Sequence, residues 1–338
     1  MFTKIMKKDF FLVRINCNTY NQSSYIESTL DGFCMQNTDF SYICTIFDDA
    51  STDGQRELLI DYLNKNFEES NDSIALLEET DDYVLRFLRH NRNHNCYFAL
   101  FLLKYNHYKL KKSRIPYLRE WKDNVKYIAL CEGDDYWTSP SKLQKQVDFL
   151  ENHPECSLTC HRYEVLDEKN KEIGNDGNEK WFKDGVKGVF FDQMQSDESW
   201  FTKTLTLVFR TSALEEYWKY PGTRWDIVLV YYLLKHGMGY CFNEIMAVYR
   251  RNDLSTYGNK RYRDKKRISY LQHKELYSYE KNSLTRKRYY NAKIRLIFFS
   301  RGKAIRDMNF TWEDLLYLPY YFFIGLTKIV LCQSKFHS

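Results

Sequence analysis

The chain has 338 residues, 43% of them hydrophobic, and a formal net charge of +5 with a sequence pI of about 8.5. This hydrophobic content excludes an intrinsically disordered protein, and the length suffices for one large or two small domains. The basicity is too weak to indicate nucleic-acid binding, but it suits anionic ligands or an anionic membrane surface.

Cysteine usage indicates a reducing compartment. The nine cysteines include no Cys-x-x-Cys pair and are Cys17, Cys34, Cys44, Cys96, Cys131, Cys156, Cys160, Cys241 and Cys332. Several lie in apolar runs, so we expect reduced, buried thiols. Zinc at Cys156, Cys160 and His161 is disfavoured because no second ligand pair follows. Residues 1–10 lack the apolar stretch of a signal peptide, and we expect a cytoplasmic location.

The first part of the chain alternates strand, polar loop and helix. Residues 10–17 and 42–47 are apolar runs that predict strands, and each is followed by a polar loop. A helix is expected after each loop, the first with a capping box from Ser24 to Glu27 and the second from Thr52 to Gln55. This order is typical of a parallel sheet with crossover helices.

Apolar spacing and turn signals predict the remaining elements. Strands are expected over 127–131, 156–163 and 205–210, short strands and loops over 167–195, and helices over 97–108, after Pro140 with Ser139 as cap, over 227–236 and over 260–303. Gly237 ends the helix over 227–236. A basic irregular segment spans residues 109–126.

Two predicted strands end in acidic loops. Asp48 and Asp49 follow the strand over 42–47, and Glu132-Gly133-Asp134-Asp135 follows the strand over 127–131. Helix capping or a solvated turn explains each loop alone, but not both together. Clustered carboxylates need a cation or hydrogen-bond donors, and ligands of open α/β sheets bind at the carboxyl ends of strands. The pattern therefore predicts Mg²⁺ or Mn²⁺ carrying a phosphorylated ligand.

The sequence contains neither a P-loop nor the glycine fingerprint of dinucleotide-binding folds. We therefore expect the phosphates to be held by the metal, which would neutralise a diphosphate leaving group as a Lewis acid.

Six motifs follow one another between residues 10 and 255. They are Asn18-Thr19-Tyr20-Asn21, Asp48-Asp49-Ala50-Ser51-Thr52-Asp53-Gly54, and the segments 129–137, 143–150, 205–210 and 243–250. In this order they resemble the family 2 glycosyltransferases with a GT-A fold, of the bacterial surface-polysaccharide type.

The resemblance implies an α/β, GT-A-like (Rossmann-like) fold with a mostly parallel central sheet flanked by helices. The glycosyltransferase domain is expected over residues 1–258, followed by a helical C-terminal extension over 259–338. The implied activity is inverting transfer of a sugar from a nucleoside-diphosphate sugar, with UDP as the expected nucleotide. The implied acceptor is a glycan or a lipid-linked saccharide of cell-surface polysaccharide biosynthesis.

The resemblance also assigns roles to the acidic loops. Thr19 is expected near the nucleotide, and Asp49, with Asp48 beside it, near the base. Glu132 and Asp134 stand at the two acidic positions of the family's Asp-x-Asp motif, where the first acid faces the ribose and the second coordinates the metal.

Two further positions follow from the same resemblance. Asp135 is expected beside the sugar or the metal. Asp226 matches the acid that acts as general base on the acceptor hydroxyl, although an ordinary helix N-terminal charge explains it too. Many relatives carry a histidine after the Tyr-Arg pair, whereas this chain has Arg251-Asn252-Asp253-Leu254-Ser255.

Three surface features keep alternatives open. The apolar tail over 312–331 predicts an interfacial, membrane-touching helix, with a docked helix or a membrane span as alternatives. The basic segments over 109–126 and 260–288 suit anionic lipid or a lipid-diphosphate acceptor, or form a solvated surface. A polar cluster suits either nucleotide contact or a solvated loop, and consists of Arg89, Arg92, Asn93 and Asn95.

Two other function classes remain. A nucleotidyltransferase uses metal and carboxylates on a similar scaffold, but its usual glycine- and lysine-containing signature is absent from the sequence. A non-catalytic carbohydrate-binding subunit would bind a nucleotide-sugar without consuming it.

Overall fold

The computed structural model describes residues 11–68, 76–118, 121, 125–182, 185–195, 202–252, 260–299, 308 and 310–334. The chain divides into two compact units. The first comprises Met1–Trp218 and Val230–Leu254, and the second comprises Lys219–Leu229 and Ser255–Ser338.

The described strands all belong to one sheet. They are β1 (Val13–Thr19), β2 (Tyr42–Asp48), β3 (Phe67–Glu68), β4 (Leu76–Glu79), β5 (Tyr83–His90), β6 (Cys96–Leu103), β7 (Tyr127–Leu130), β8 (Tyr136–Trp137), β9 (Cys156–Asp167), β10 (Glu172–Asn175), β11 (Gly188–Phe191), β12 (Val208–Arg210) and β13 (Met238–Arg251).

The described α-helices follow the strands in the chain. They are α1 (Ile26–Cys34), α2 (Gln55–Asn66), α3 (His107–Leu110), α4 (Lys142–Asn152), α5 (Glu215–Lys219), α6 (Asp226–Lys235), α7 (Tyr262–Tyr279), α8 (Ser283–Phe299) and α9 (Trp312–Ser334).

The centre of the sheet is parallel. Its order is β11-β13-β9-β12-β7-β1-β2-β6-β5-β3, and β7, β1, β2 and β6 run in one direction. Strand β12 lies antiparallel between β7 and β9, and β13 pairs with β9 in parallel. The predicted α/β fold with a mostly parallel central sheet is therefore confirmed.

The main hydrophobic core lies where helices cover this parallel centre. Helix α1 contributes Ile26, Leu30 and Phe33 to it, and α2 and α4 contribute their own apolar faces. Burying each large apolar side chain stabilises the fold by about 1.5–3 kcal/mol. Gly32 of α1 admits no side chain, because a Cβ there would lie 2.9 Å from the main-chain nitrogen of Trp137.

The prediction of a helix over 97–108 is wrong. Residues Cys96–Leu103 form β6, whose eight residues are all buried, and only the short helix α3 follows. A strand covered on both faces is apolar throughout, so its sequence lacks the alternation that would distinguish it from a buried helix.

Both predicted capping boxes are also wrong. Helix α1 starts after Tyr25 and α2 after Gly54, whose φ of 88° is left-handed, and neither N-cap residue makes a side-chain hydrogen bond to its helix. Helix α4 starts after Ser141, two residues beyond the predicted cap Ser139. The side chain of Gln55 instead enters the candidate site described below.

The predicted burial of the cysteines is confirmed for the thiols that the structure describes. Seven of the eight are buried and Cys34 is half-buried, while the side chain of Cys332 lies outside the described residues.

The second unit is helical, as predicted for residues 260–303 where they are described. Helix α8 contacts both α7 and α9, and a second cluster of buried side chains is centred on Tyr289, Tyr290 and Leu296. Of the helices that the structure describes, none has the length and apolar character needed to cross a bilayer.

Candidate active site

The loops that follow β1, β2 and β7 meet at one edge of the sheet. Thr19, the last residue of β1, is in register with Asp48, the last residue of β2. The acidic loop after β7 continues alongside β1, because the N–H of Gly133 donates to the carbonyl of Asn18 at 3.1 Å. Both acidic loops therefore lie at the same edge of the sheet.

Side chains hold the first two loops together. The N–H of Asn21 donates to Oγ of Ser51 at 2.9 Å, and Oδ1 of Asn21 accepts from the N–H of Thr52 at 2.8 Å. Oδ2 of Asp53 accepts from the N–H of Ser23 at 2.9 Å. Partial burial of Asp53 opposes the ionisation of its carboxyl group. The hydrogen bonds that this carboxylate accepts, chiefly from Ser23, outweigh the effect of burial and lower the pKa of Asp53.

A buried network connects Thr19 to Asp48. The hydroxyl of Thr19 lies 2.8 Å from Oε1 of both Gln22 and Gln55. Gln55 in turn donates from Nε2 to Oδ1 of Asp48 at 2.7 Å. Oδ2 of Asp48 accepts from Nε and Nη2 of Arg56 at 3.1 and 3.0 Å. The carboxylate of Asp48 is fully buried and both its oxygens are bonded.

Asp49 binds the loop that follows β6. Its Oδ1 accepts from the N–H of His107 at 2.7 Å and its Oδ2 from the N–H of Tyr108 at 3.0 Å. Nη1 of Arg114 lies 3.9 Å from Oδ2, and the side chain of Asn106 donates to the Asp49 carbonyl at 3.0 Å. The Asp49 carboxylate is thus buried and held by main-chain donors at the start of α3.

The acidic loop requires glycine at its second position. A Cβ on Gly133 would lie 2.6 Å from Cβ of Thr19, closer than real carbon atoms approach. The hydroxyl of Thr29 on α1 lies 3.0 Å from the Gly133 carbonyl and 2.6 Å from the Asp135 carbonyl. The loop is therefore held against both β1 and α1.

Asp135 is the buried member of the loop. Its Oδ1 accepts from the main-chain N–H of Arg250 at 2.8 Å. Burial raises its pKa well above the ordinary value, and the negative charge of Asp134 adds to this. The Arg250 N–H and the cation of Lys203 oppose the rise.

Asp134, like Glu132, is half-buried. Its main-chain carbonyl accepts from Nη1 of Arg250 at 2.9 Å, and its Oδ2 accepts from Nδ2 of Asn252 at 3.1 Å. Within the described part of the chain, Oδ1 of Asp134 has no protein hydrogen bond. The backbone at Asp134 is thus fixed while one carboxylate oxygen stays available.

Arg250 fixes the acidic loop from β13. Its Nη2 donates to Oγ of Ser28 on α1 at 2.8 Å, and its Nε lies 3.2 Å from Oε1 of Glu168. The guanidinium carbon lies 4.3 Å from the ring centroid of Tyr136 and 5.2 Å from that of Tyr25. One arginine thus joins helix, loop and strand, and a lysine cannot reproduce its planar fork.

Lys203 is a site residue that the sequence interpretation missed. Its Nζ lies 3.8 Å from the ring centroid of Tyr249, and its charge acts on Asp135. It lies just before the 205–210 motif, in a stretch without a pattern of its own. The sequence offered one general argument for such a residue, namely that three clustered carboxylates need a nearby cation.

The residues present fit a divalent cation that also binds a diphosphate. Glu132, Asp134 and Asp135 create a negative region. Burial first, and then all three charges, raise the pKa of the Cys17 thiol, and burial followed by the charges of Asp135, Cys17 and Glu132 raises that of the Cys131 thiol. Among the described residues, no three His, Cys, Asp or Glu side chains are grouped as a complete metal site. Mg²⁺ bound to phosphates needs only one or two carboxylates, because water and phosphate oxygens complete its shell.

Asp226 belongs to the second unit, whereas the other predicted site residues belong to the first. It is exposed and is the first residue of α6. The preceding segment is anchored on α7, since the N–H of Thr223 and Nε1 of Trp225 both donate to the carboxylate of Glu275 at 3.1 Å. Its role as a base stays a prediction.

The predicted polar cluster lies at the opposite edge of the sheet. The side chain of Asn93 donates to the Tyr42 hydroxyl at 3.1 Å, and that of Asn95 donates to the Thr38 carbonyl at 2.6 Å. Tyr42 is the first residue of β2, so these amides support the amino-terminal end of the strand. This end of β2 is the one opposite to Asp48, where the acidic loop begins.

Parts of two other predictions lie outside the described residues. These parts are 119, 120 and 122–124 of the first basic segment, and Asp253, Leu254 and Ser255 after the Tyr-Arg pair.

Sequence comparison finds distant relatives without an assigned function. No family model matches the chain. Two relatives are the uncharacterized protein Rv1520 of Mycobacterium tuberculosis and the uncharacterized protein Mb1547 of Mycobacterium bovis, each 29% identical over 242 residues. The match covers 69% of this chain and 57% of each relative, so the chain spans little more than half of their length.

Structure comparison identifies the fold. S. aureus TarS (residues 1–349) in complex with UDP aligns with a TM-score of 0.52 and 12% identity, covering 90% of this chain and 76% of that one. The same protein in complex with UDP-GlcNAc aligns with a TM-score of 0.53 and 13% identity, covering 91% and 79%. The chain has the GT-A type of fold, as predicted.

Proposed function

We propose that the chain is an inverting glycosyltransferase that uses a nucleoside-diphosphate sugar, with UDP as the nucleotide. The observation that carries this proposal is the Asp134 carboxylate. It has one available oxygen on a rigidly held loop, at the edge of a GT-A sheet where the carboxyl ends of β1, β2 and β7 meet. The UDP and UDP-GlcNAc complexes of TarS, which shares the fold, support the choice of donor.

We propose donor-binding roles for residues of the first unit. Asp49 would accept from the N–H of the base, while Asp48 holds that loop through Gln55 and Arg56. Thr19 ends β1 in register with Asp48, and we propose that it lies beside the nucleotide. The proposed nucleotide site is thus formed by the loops after β1 and β2.

The acidic loop would meet the sugar-diphosphate end of the donor. Glu132 is proposed to face the ribose, Asp134 to hold Mg²⁺ or Mn²⁺, and Asp135 to support the loop beside the sugar. When bound, the cation would neutralise charge on the departing diphosphate. Lys203 would add a positive charge on the same side of the site.

The reaction needs a base for the acceptor, and Asp226 is proposed for it. The acceptor hydroxyl loses its proton to the Asp226 carboxylate while its oxygen bonds to the anomeric carbon. The bond from that carbon to the diphosphate breaks, and the diphosphate leaves with the electron pair. Attack from the opposite face inverts the anomeric centre. A general base typically contributes 10²–10⁴-fold to the rate.

The acceptor is proposed to be a glycan or a lipid-linked saccharide of cell-surface polysaccharide biosynthesis. The strong positive charge of residues 260–288 supports an acceptor that carries a diphosphate or lies at an anionic surface. We place the enzyme in the cytoplasm, peripheral to the membrane, and propose residues 1–258 as the catalytic domain with 259–338 as an extension.

A thermal-shift experiment tests the donor and the metal together. UDP, GDP and their sugar conjugates are added with and without Mn²⁺, because a ligand that binds only the folded state raises its melting temperature. We expect metal-dependent stabilisation by UDP and UDP-sugars. Asp134→Asn should abolish that stabilisation and sugar transfer while leaving the unliganded melting temperature near wild type.

The matched control is Asp61→Asn, which removes an exposed carboxylate from α2. It should leave both the stabilisation and the transfer unchanged. Full transfer activity in Asp134→Asn would contradict the metal role of Asp134.

The two alternative classes give different products. A nucleotidyltransferase would release pyrophosphate from a nucleoside triphosphate and a sugar phosphate. A non-catalytic subunit would be stabilised by a nucleotide-sugar, yet release no nucleoside diphosphate with any metal or acceptor. Measuring pyrophosphate and UDP in the same reactions separates the three classes.

A further inference from the structure

Helix α9 is fixed to α8 along one face. Both carboxylate oxygens of Asp314 lie 2.7 Å from Nζ of Lys293, and both side chains are almost completely buried. One turn and two turns further on, Tyr317 and Tyr321 pack against Tyr290, with ring centroids 5.4 and 5.6 Å away. This buried pair and these rings determine which face of α9 points outward.

The outward face of α9 is apolar. It consists of Trp312, Leu315, Leu316, Tyr320 and Phe323, which recur at the spacing of one helix face. Trp312 is 86% exposed, Leu315 66% and Leu316 71%. An exposed helix face is ordinarily polar, and an apolar one of this extent is typical of an interaction surface.

The same unit is strongly basic. Residues 260–299 contain thirteen Lys and Arg against three Asp and Glu, a net charge of +10. Since the whole chain has +5, the remaining residues together carry −5. The positive charge is therefore concentrated in the segment that precedes α9.

Positive charge also lies next to the outward face. Phe298 of α8 is 60% exposed and stacks on Phe322 of α9, with ring centroids 5.7 Å apart and planes 10° apart. Arg295, three residues earlier on α8, is exposed on the same side of that helix. The charge of Arg295 thus lies within one helical turn of Phe298, whose ring stacks on α9.

We propose that the outward face of α9 docks in the headgroup region of an anionic lipid bilayer. An apolar helix face with Trp and Tyr beside clustered Lys and Arg is the combination that binds such a surface without crossing it. A second copy of the chain is a poorer occupant, because two units of this charge repel each other. Nucleic acid would satisfy the cations but not the apolar face. The proposal does not depend on the transferase reaction.

Co-sedimentation of the whole chain with vesicles tests the docking. We expect binding to vesicles of phosphatidylcholine with about a third phosphatidylglycerol, and little binding to phosphatidylcholine alone. Raising the salt should weaken binding, since it screens the charges. Leu315→Gln combined with Leu316→Gln should reduce binding about tenfold or more, because two exposed leucines no longer enter the lipid.

The matched control is Ile173→Gln combined with Met194→Gln, which replaces two exposed apolar side chains of the first unit. It should bind vesicles as the wild type does. All substituted side chains are exposed, so circular dichroism should show unchanged folding in both variants.

The position of α9 is checked by quenching tryptophan fluorescence with brominated lipid. The quenching should decrease in Trp312→Phe, which keeps an apolar ring but removes the fluorophore. Three results would overturn the proposal: no binding to anionic vesicles, equal binding by the double-glutamine variant, or lipid-independent dimerisation that this variant abolishes. Nucleotide-sugar binding is measured separately, so failure here leaves the proposed reaction untouched.

Discussion

The main-chain N–H of Arg250 donates to Oδ1 of Asp135 at 2.8 Å, across 115 positions of sequence. The bond joins the end of β13 to the acidic loop after β7, and both residues are buried. Because the donor belongs to the main chain, replacing the arginine side chain by any residue except proline leaves it in place. The contribution of this hydrogen bond is therefore measured by substituting its acceptor, Asp135.

Asp135→Asn should be tolerated by the fold. The amide carbonyl still accepts from Arg250, and the change removes a buried charge that Asp134 disfavours. We expect an unchanged or higher free energy of unfolding in urea titrations. Asp135→Ala should lower it by about 1–3 kcal/mol, because the buried Arg250 N–H loses its partner. Equal losses in both variants would show that the bond is not the cause.

Gly133→Ala should destabilise the protein and weaken donor binding. The added methyl group would overlap the side chain of Thr19 at the end of β1, so we expect a loss of about 1–3 kcal/mol. Gly174→Ala is the matched control, since a Cβ there has no neighbour within 4 Å. Thermal unfolding and nucleotide titration measure the two effects, and similar behaviour of the two variants would refute the close approach.

Lys142 should make stability depend on pH. It is fully buried, with Nζ 2.8 Å from Oε1 of Gln146 and 3.9 Å from the ring centroid of Trp137. Burial lowers its pKa to about 7, although Cys131 and Cys160 oppose this, and its charge helps to lower the pKa of buried His161.

Between pH 7 and 10.5 the unfolded lysine keeps a proton that the folded one has lost, so stability should rise with pH across this window. In Lys142→Met, the rise in the free energy of unfolding with pH should be smaller by up to about 1.4 kcal/mol per pH unit. Lys145→Met, which removes an exposed lysine paired with Glu244, should retain it. Urea unfolding between pH 7 and 8.5 measures the slopes, and parallel slopes in all three proteins would exclude a neutral Lys142.

Asp226→Asn should separate donor binding from turnover. As the proposed base, Asp226 acts on the acceptor, so the variant should bind UDP-sugar as the wild type does. Its transfer rate should fall by about 10²–10⁴-fold. Calorimetric titration with UDP gives the first quantity and product formation the second. A variant with near wild-type turnover would assign the base to another residue.

The sequence was sufficient to predict the parallel centre of the fold and the two acidic loops of the candidate site. Strands β1, β2 and β7 are apolar runs followed by polar or acidic loops, and this local pattern contains the information needed. Strand β6 was missed because a run buried on both faces has no periodicity to read.

The hydrogen bonds of the site were not predictable from local patterns. Gln55 matched a capping box, yet its side chain bonds Asp48. Asp49 accepts from the main-chain N–H groups of His107 and Tyr108, which lie 58 and 59 positions further along the chain. Arg250 reaches the acidic loop from β13 and Lys203 from the segment before β12, and sequence spacing reveals neither contact. Such contacts depend on which strands become neighbours, and only the assembled sheet determines that.

The hydrogen bonds between the loops after β1 and β2 have a kinetic consequence. Asn21 is bonded to Ser51 and Thr52, and Ser23 to Asp53, before any nucleotide is present. A nucleotide would therefore meet loops that are already ordered, without waiting for them to close slowly. We expect the association to follow a single exponential whose rate rises linearly with nucleotide concentration. Thr52→Pro, which deletes the N–H that Asn21 accepts, should introduce a second, concentration-independent phase.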